Sequence, residues 1–568
     1  MKYEPSIHQS ARESMTQWQT LIKRNPYTID QDFQHSVSMY FSNPELQKEL
    51  TQFAHEVVTH LEPLVIENNL CFNWPRLEKY NGIGELTQEI VHHPNYAAAG
   101  DIIYGSKMLA RLAKKGGILE SLLFFFLSGQ AGEAGHNCPF ACSAGIIRVL
   151  QKVDNIPQRD EYIQKLCEPS YSHNYTGAQF LTEIQGGSDV GQNATVAYQD
   201  EKGEWRIHGE KWFCSNVNAD LILMTARFSE EPGTAGLALF LVPKFLENGQ
   251  HNEYSIRRLK EKIGTCSMAS GEMDFNHARA YPVGKLEEGF KLVMENVLHL
   301  SRLCNTFCML GMARRAFYIA KSYAKMRKAF GTEIIHYPLV EENLATIKSE
   351  SDAMLASIFS STALQDKADL NPAASSETKL LLRLLANLNK YVSARLSVEH
   401  IHHSIDVLAG NGAIETFSTL PRLFRDSIVC ENWEGTHNTL RMQILRDILK
   451  YHVHELLFKD IKNKLALVKD ETRRKIISHF LNEVEASCEL LKKSSQKLQS
   501  LQIRVVVDQL AYLFLATSLL IEADDQMQTM SCKNKLHSFD YFCLQHLSNS
   551  KPELNEIYLN LIYKIVQE

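Results

Sequence analysis

Five clusters of residues have the side chains and spacing to do chemistry. The first is Phe180-Leu-Thr-Glu-Ile-Gln-Gly-Gly-Ser-Asp-Val190. Adjacent glycines let main-chain amides approach a ligand closely. Thr182 and Ser188 add hydroxyls suited to the ring oxygens of a flavin or to phosphates. The second, Lys211-Trp-Phe-Cys-Ser-Asn216, sets two aromatics side by side at a strand end. One ring can pack on a planar cofactor while Ser215 bonds its edge. The third, Arg327-Lys-Ala-Phe-Gly331, closes a long helical window. Its arginine suits bidentate binding of a pyrophosphate. The fourth is Ile405-Asp-Val-Leu-Ala-Gly-Asn-Gly412 and the fifth Asn432-Trp-Glu-Gly-Thr-His-Asn-Thr439. There Glu434 stands beside Trp433, a partly apolar setting that suits a carboxylate to general-base work. Taken singly, each cluster has an ordinary structural reading: a polar loop, a core aromatic pair, a helix cap, a solvated loop glutamate.

The elements that must position these residues follow from periodicity. Residues 1–174 carry apolar side chains at three- and four-residue spacing and predict a helical domain. Residues 175–285 carry short β-branched and aromatic runs between turn signals such as Glu231-Pro-Gly233, which predicts an antiparallel β-barrel or sandwich. The helical period returns over 286–452 as a second bundle, and residues 453–568 form a further helical tail. The fold class is therefore α+β. Within the tail, Val505 to Ile521 reads as a buried helix.

The chain has 568 residues and a net charge of −6, which excludes the whole-chain basic footprint of a nucleic-acid binder. Fifteen basic and fifteen acidic tail residues leave that region neutral, so nucleic acid is not the favoured partner. The first fifteen residues lack the apolar stretch of a signal peptide, no apolar run reaches bilayer length, and twelve cysteines contain no CxxC. A reduced, cytoplasmic protein without a membrane span is expected. His400, His403 and Asp406 could share a helix face, and His136, Cys138 and Cys142 lie close in sequence. A solvated helix face and a structural loop are the readings preferred, and no metal site is expected.

In order and spacing the five clusters resemble the acyl-CoA dehydrogenase family over about residues 175–450. The match comprises Thr182-Glu183 ahead of Gly187-Ser188-Asp189, Lys-x-x-x-Ser-Asn at 211–216 and Leu239 to Pro243. It continues with Arg302 nine residues before Gly311, the Arg-Lys-Ala-Phe-Gly run, Gly-Asn-Gly and Trp-Glu-Gly-Thr. Phe72-Asn-Trp-Pro-Arg76, His136-Asn-Cys-Pro139 and the long tail look like the AidB-type branch. The resemblance implies FAD between the β domain and the second bundle. Thr182, Ser188 and Ser215 would bond the flavin and Phe213 would pack on it. Arg327 and Phe330 would reach the FAD of a neighbouring subunit, and Gly410, Thr436 and Asn438 would line the nucleotide. Arg302 falls near the arm of a CoA thioester, and Glu434 falls on the base. The implied activity is α,β-dehydrogenation of a fatty acyl-CoA by a homotetramer, with electrons leaving to an electron-transfer flavoprotein or oxygen. A protective flavoprotein that binds nucleic acid and an acyl-CoA-sequestering flavoprotein are the alternatives. The chain departs from the family where Asp406 and Ala409 replace a glutamine and a glycine.

Overall fold

Between residues 76 and 91 the chain is not helical, contrary to the reading of 1–174. Alternating half-buried and exposed residues form a hairpin of β1 (Arg76–Tyr80) and β2 (Leu86–Val91). The turn explains it: the Asn81 side chain accepts from the amides of Ile83 and Glu85, and Gly84 adopts a φ of 82°. The computed structural model describes residues 5–371, 373–548 and 550–567. It divides into two compact units, His60–Cys304 and Met1–Thr59 with Asn305–Glu568.

In the unit His60–Cys304, eight strands form one sheet. They are β3 (Gly177–Phe180), β4 (Val196–Gln199), β5 (Trp205–Ser215), β6 (Leu221–Arg227), β7 (Leu237–Pro243), β8 (Tyr254–Leu259), β9 (Ser270–Arg279) and β10 (Tyr281–Pro282). Their order is β10-β7-β6-β4-β5-β9-β8, with β3 also paired to β6. The expected antiparallel barrel or sandwich is thus corrected to an open, mixed sheet, because β3 and β4 run parallel to β6. The reason is the connection after β3. A long polar loop, not a hairpin turn, follows it, so the chain does not fold straight back. Phe180, Ile207, Met224, Phe240, Met273 and Phe275 build the sheet's core. Gly177 lets β3 lie against the helix Asn137–Leu150, since a Cβ there would stand 2.9 Å from the Ser143 main chain.

The other unit is helical. The long helices Pro338–Leu370 and Ser376–Leu408 pack together, and the tail helices Gln496–Met530 and Asn534–His546 pack on Pro338–Leu370. Gln496–Met530 includes the apolar run read as a buried helix. By length and composition it is the one helix among the described residues that would cross a bilayer, but 72% of its most apolar window is buried against neighbours. That is the environment of a core helix.

A buried ionic network ties the pieces of this unit together. Arg314 bonds Asp30 through two nitrogens at 2.8 Å and Asp352 through a third at 2.8 Å. Lys348 pairs with Asp32 and with Asp352, and Lys535 pairs with Glu522. Gln526 of the tail donates to Asp32 at 2.9 Å, and Ser538 donates to Asp352 at 2.7 Å. Burial alone would push Asp30 and Asp32 up. The charges of Arg314 and Lys348 overcome it and hold both carboxyls below their ordinary range.

Candidate functional site

The loop after β3 is anchored by a residue that the sequence offered only as part of a motif. Glu183 is buried and accepts from Lys211 Nζ at 2.7 Å, from the amide of Ala194 at 2.6 Å and from Gln185 at 2.8 Å. Burial opposes its charge, but Lys211 and these bonds hold its carboxyl below the usual value. The loop is thereby fixed to β5. The Thr182 carbonyl accepts from the Trp212 amide at 3.0 Å, so Thr182 lies beside the strand end that carries Phe213 and Ser215. A Cβ on Gly187 would come within 2.6 Å of the Thr182 hydroxyl, so any larger residue there would push that side chain aside. Ser188 stands exposed on the same loop.

The two adjacent aromatics take different roles. A bulge in β5 between Lys211 and Cys214 re-aims the strand. Trp212 is half-buried with the Lys260 ammonium 3.5 Å from its ring centre, whereas Phe213 is 39% exposed. Ser215 Oγ lies 3.1 Å from Ser270 Oγ, which accepts from Lys262 Nζ at 3.0 Å. A bare aromatic ring beside hydroxyls on one strand end matches a flat ligand with a polar edge. Arg302, by contrast, is buried on the helix His299–Met326.

In the helical unit, Glu434 sits on the turn between the helices Leu420–Glu431 and His437–Tyr451. Its φ is 59° and that of Gly435 is 107°, two consecutive residues in the left-handed region. Lys390, fully buried on the helix Ser376–Leu408, donates to the main-chain oxygens of Glu431 at 2.8 Å and Gly435 at 2.7 Å. Glu434 itself is half-buried. Thr436 caps the next helix through its hydroxyl. Asn438 is exposed in the first turn and accepts from Arg441 at 3.0 Å. Gly410 lies in a short 3-10 segment, Ala409–Ala413, with open space where a side chain would stand.

The Arg327–Gly331 run is a small hairpin and not a helix cap. The helix ends at Met326, and Lys328–Ala329 pairs with Thr332–Glu333. Phe330 at its tip is 99% exposed with a φ of 50°. Arg327 is exposed beside it.

His400 and His136, two of the histidines considered as ligands, are engaged elsewhere. His400 is neither on a solvated face nor free: it is buried, with Nε2 2.6 Å from Glu350, which also bonds His546 at 2.7 Å. The helix packs against Pro338–Leu370 on that side, so position 400 faces a neighbour. His136 is buried with Nε2 2.8 Å from the Tyr96 carbonyl and its ring against Tyr96 and Tyr171. Burial pulls its pKa down to about 3. Sequence reasoning missed the anchors Glu183, Lys211, Lys262 and Lys390. For Lys390 a signal existed: it is a lone cation close to the apolar positions 384, 385, 388, 391 and 392 of a long helix.

Residues 178–278 match the family model of the acyl-CoA dehydrogenase middle domain, and residues 287–449 match that of the acyl-CoA dehydrogenase C-terminal domain. The putative acyl-CoA dehydrogenase AidB of Escherichia coli (strain K12) is 29% identical over 468 residues, covering 77% of this chain and 84% of the relative. Among solved structures, Caenorhabditis elegans ACDH-11 in complex with C11-CoA superposes with a TM-score of 0.85 at 24% identity, covering 93% of this chain and 92% of that one. An acyl-CoA dehydrogenase complexed with FAD from Bacillus anthracis gives 0.72 at 18% identity, covering 92% and 91%.

Proposed function

We propose that this chain, which belongs to the acyl-CoA dehydrogenase family through its middle and C-terminal domains, dehydrogenates a fatty acyl-CoA thioester between its α and β carbons, with Glu434 as the base. Its cofactor is FAD, which the family binds. The observation that carries the reading is the turn at Glu434. A half-buried carboxylate stands on a left-handed bend fixed by a buried lysine, in the family's C-terminal domain. The donor sets fit the cofactor. Thr182, Ser188 and Ser215 would hold the flavin ring by its polar edge, and Phe213 would cover one face. Gly410, Thr436 and Asn438 would line the nucleotide, with Gly410 leaving the room that a side chain would fill.

Bound FAD supplies the acceptor for the β-hydrogen and its electron pair. The chain's residues do the rest. The Glu434 carboxylate takes the α-proton, and the Glu434 main-chain N–H supports the charge that develops on the thioester oxygen. Arg302 would serve the CoA arm. The C11-CoA complex of the C. elegans protein supports an acyl-CoA as the substrate class. Phe330, bare at a hairpin tip, and its neighbour Arg327 support self-association, in which they would complete a neighbouring subunit's FAD site in a homotetramer. Electron-transfer flavoprotein is the proposed acceptor. Free cysteines throughout support a reducing, cytoplasmic setting.

The test is anaerobic bleaching of the flavin by a panel of acyl-CoAs. Glu434→Gln should keep FAD and lose bleaching by about 1,000-fold or more, because an amide cannot accept the proton. Bleaching at the wild-type rate would place the base elsewhere.

A further inference from the structure

We propose that Lys390 is a positioning residue for the base, holding the bend on which Glu434 rides and bringing a positive charge to the main-chain oxygen of the next residue. The inference rests on the reading of Glu434 given above and deepens it. An ammonium has three donors and no acceptor, so a buried lysine must find acceptors around it. Here Lys390 reaches two main-chain oxygens, Glu431 at 2.8 Å and Gly435 at 2.7 Å, which bracket Glu434 in sequence. These two contacts fix both ends of a segment whose middle is strained. Glu434 and Gly435 have φ values of 59° and 107°, and a non-glycine residue in that region holds it only when its surroundings impose it.

Lys390 braces the main chain of this bend directly. Asn305 donates to the Cys430 carbonyl at 2.9 Å, which ties down the end of the first helix, and His437 bonds the Glu431 side chain at 2.8 Å, a second, side-chain link across the same bend. Only Lys390, among the described contacts, joins the last residue of one helix to the residue just past the base. Because C=O and N–H of one peptide point in opposite directions, the Thr436 N–H faces away from the lysine. The choice of residue also matters. A neutral donor would satisfy the same carbonyls at a smaller desolvation penalty. The ammonium instead brings a full charge to the main-chain oxygen of the residue after Glu434, and a cation near a carboxylate favours the ionised, proton-accepting form.

The experiment uses the full chain loaded with FAD. Lys390→Met, Lys390→Arg and Glu434→Gln are compared with wild type for FAD affinity by titration of apoprotein, thermal midpoint, and the pH dependence of anaerobic bleaching. In Lys390→Met, FAD binding is expected within about threefold of wild type, while the limiting bleaching rate falls about 10- to 100-fold, as for a misplaced catalytic group. The half-saturating acyl-CoA concentration changes far less than the rate. The acid limb of the rate profile moves about one pH unit upward, because the carboxylate has lost its cation. Lys390→Arg keeps the charge but not the two-oxygen geometry, so its rate falls with the acid limb unmoved. If the methionine variant does not fold, the arginine variant decides by that split. A folded, FAD-loaded Lys390→Met with wild-type rate and limb, or an arginine variant with wild-type rate, overturns the proposal. Should Glu434→Gln still bleach, the assignment of the base falls. Should it fail to bleach while Lys390→Met matches wild type, only the role of Lys390 falls.

Discussion

Ala409 ends the helix Ser376–Leu408 with φ 51° and ψ −137°, a combination that favours glycine. The family's usual glycine is missing, yet the bend is kept. The chain therefore carries local strain at the entry to Gly410. Ala409→Gly should raise the unfolding free energy by about 1 kcal/mol, relief of strain exceeding the added entropy of the unfolded chain. Chemical denaturation checks it, and an unchanged or lowered midpoint would show that the neighbouring structure absorbs the strain. At this scale much was legible in the sequence. Thr182, Phe213 and Ser215 assemble on one strand end because the Glu183–Lys211 pair fixes the loop to β5. The pair itself was not legible, since an acid and a base 28 residues apart become partners only once the sheet has formed.

At the scale of elements, the tail is wired to the candidate nucleotide contacts. Tyr391 donates to Asp508 of the tail helix Gln496–Met530 at 2.5 Å and accepts from Arg441 at 2.6 Å, and Arg441 donates to Asn438 at 3.0 Å. The Arg395 side chain bonds the Tyr512 hydroxyl at 2.6 Å on the same helix. Asp508→Ala removes the acceptor at the head of this chain and leaves the Tyr391 hydroxyl to turn away. It should weaken FAD binding by about three- to tenfold, the worth of about one hydrogen bond. Titration of apoprotein reads this directly, and an unchanged affinity would mean that Asn438 is oriented by its own helix alone. Helix periods made the bundle and tail readable, whereas the polar hairpin Arg76–Val91 was not. Its strands lack the apolar alternation that marks a half-buried sheet. The mixed sheet was likewise hidden, because strand order depends on long connections that carry no pattern of their own.

For the whole molecule, the buried carboxylates set the response to acid. Burial works against the charge of Asp30, Asp32 and Glu350, but Arg314 and Lys348 hold the first two low, and bonds from His400 and His546 hold the third low. A group held below its unfolded value contributes stability above that value and loses it as pH falls. The ordinary values are 3.8 for Asp and 4.5 for Glu. The thermal midpoint should therefore stay level above about pH 6.5, begin to fall below it because His136 is kept neutral in the folded chain, and drop by roughly 5 °C or more toward pH 3 as the carboxylates protonate. Calorimetry across that range checks it, and an unchanged midpoint at pH 3 would remove the network from the acid response. The same network has a temporal meaning. Asp32 is bonded by Gln526, 494 residues further along. At about 5–20 residues per second, a ribosome needs roughly 25–100 seconds to make that distance. The helix Gln31–Tyr40 thus emerges long before Lys348 and Gln526, the groups that satisfy Asp32, and its last docking must await the tail helix Gln496–Met530.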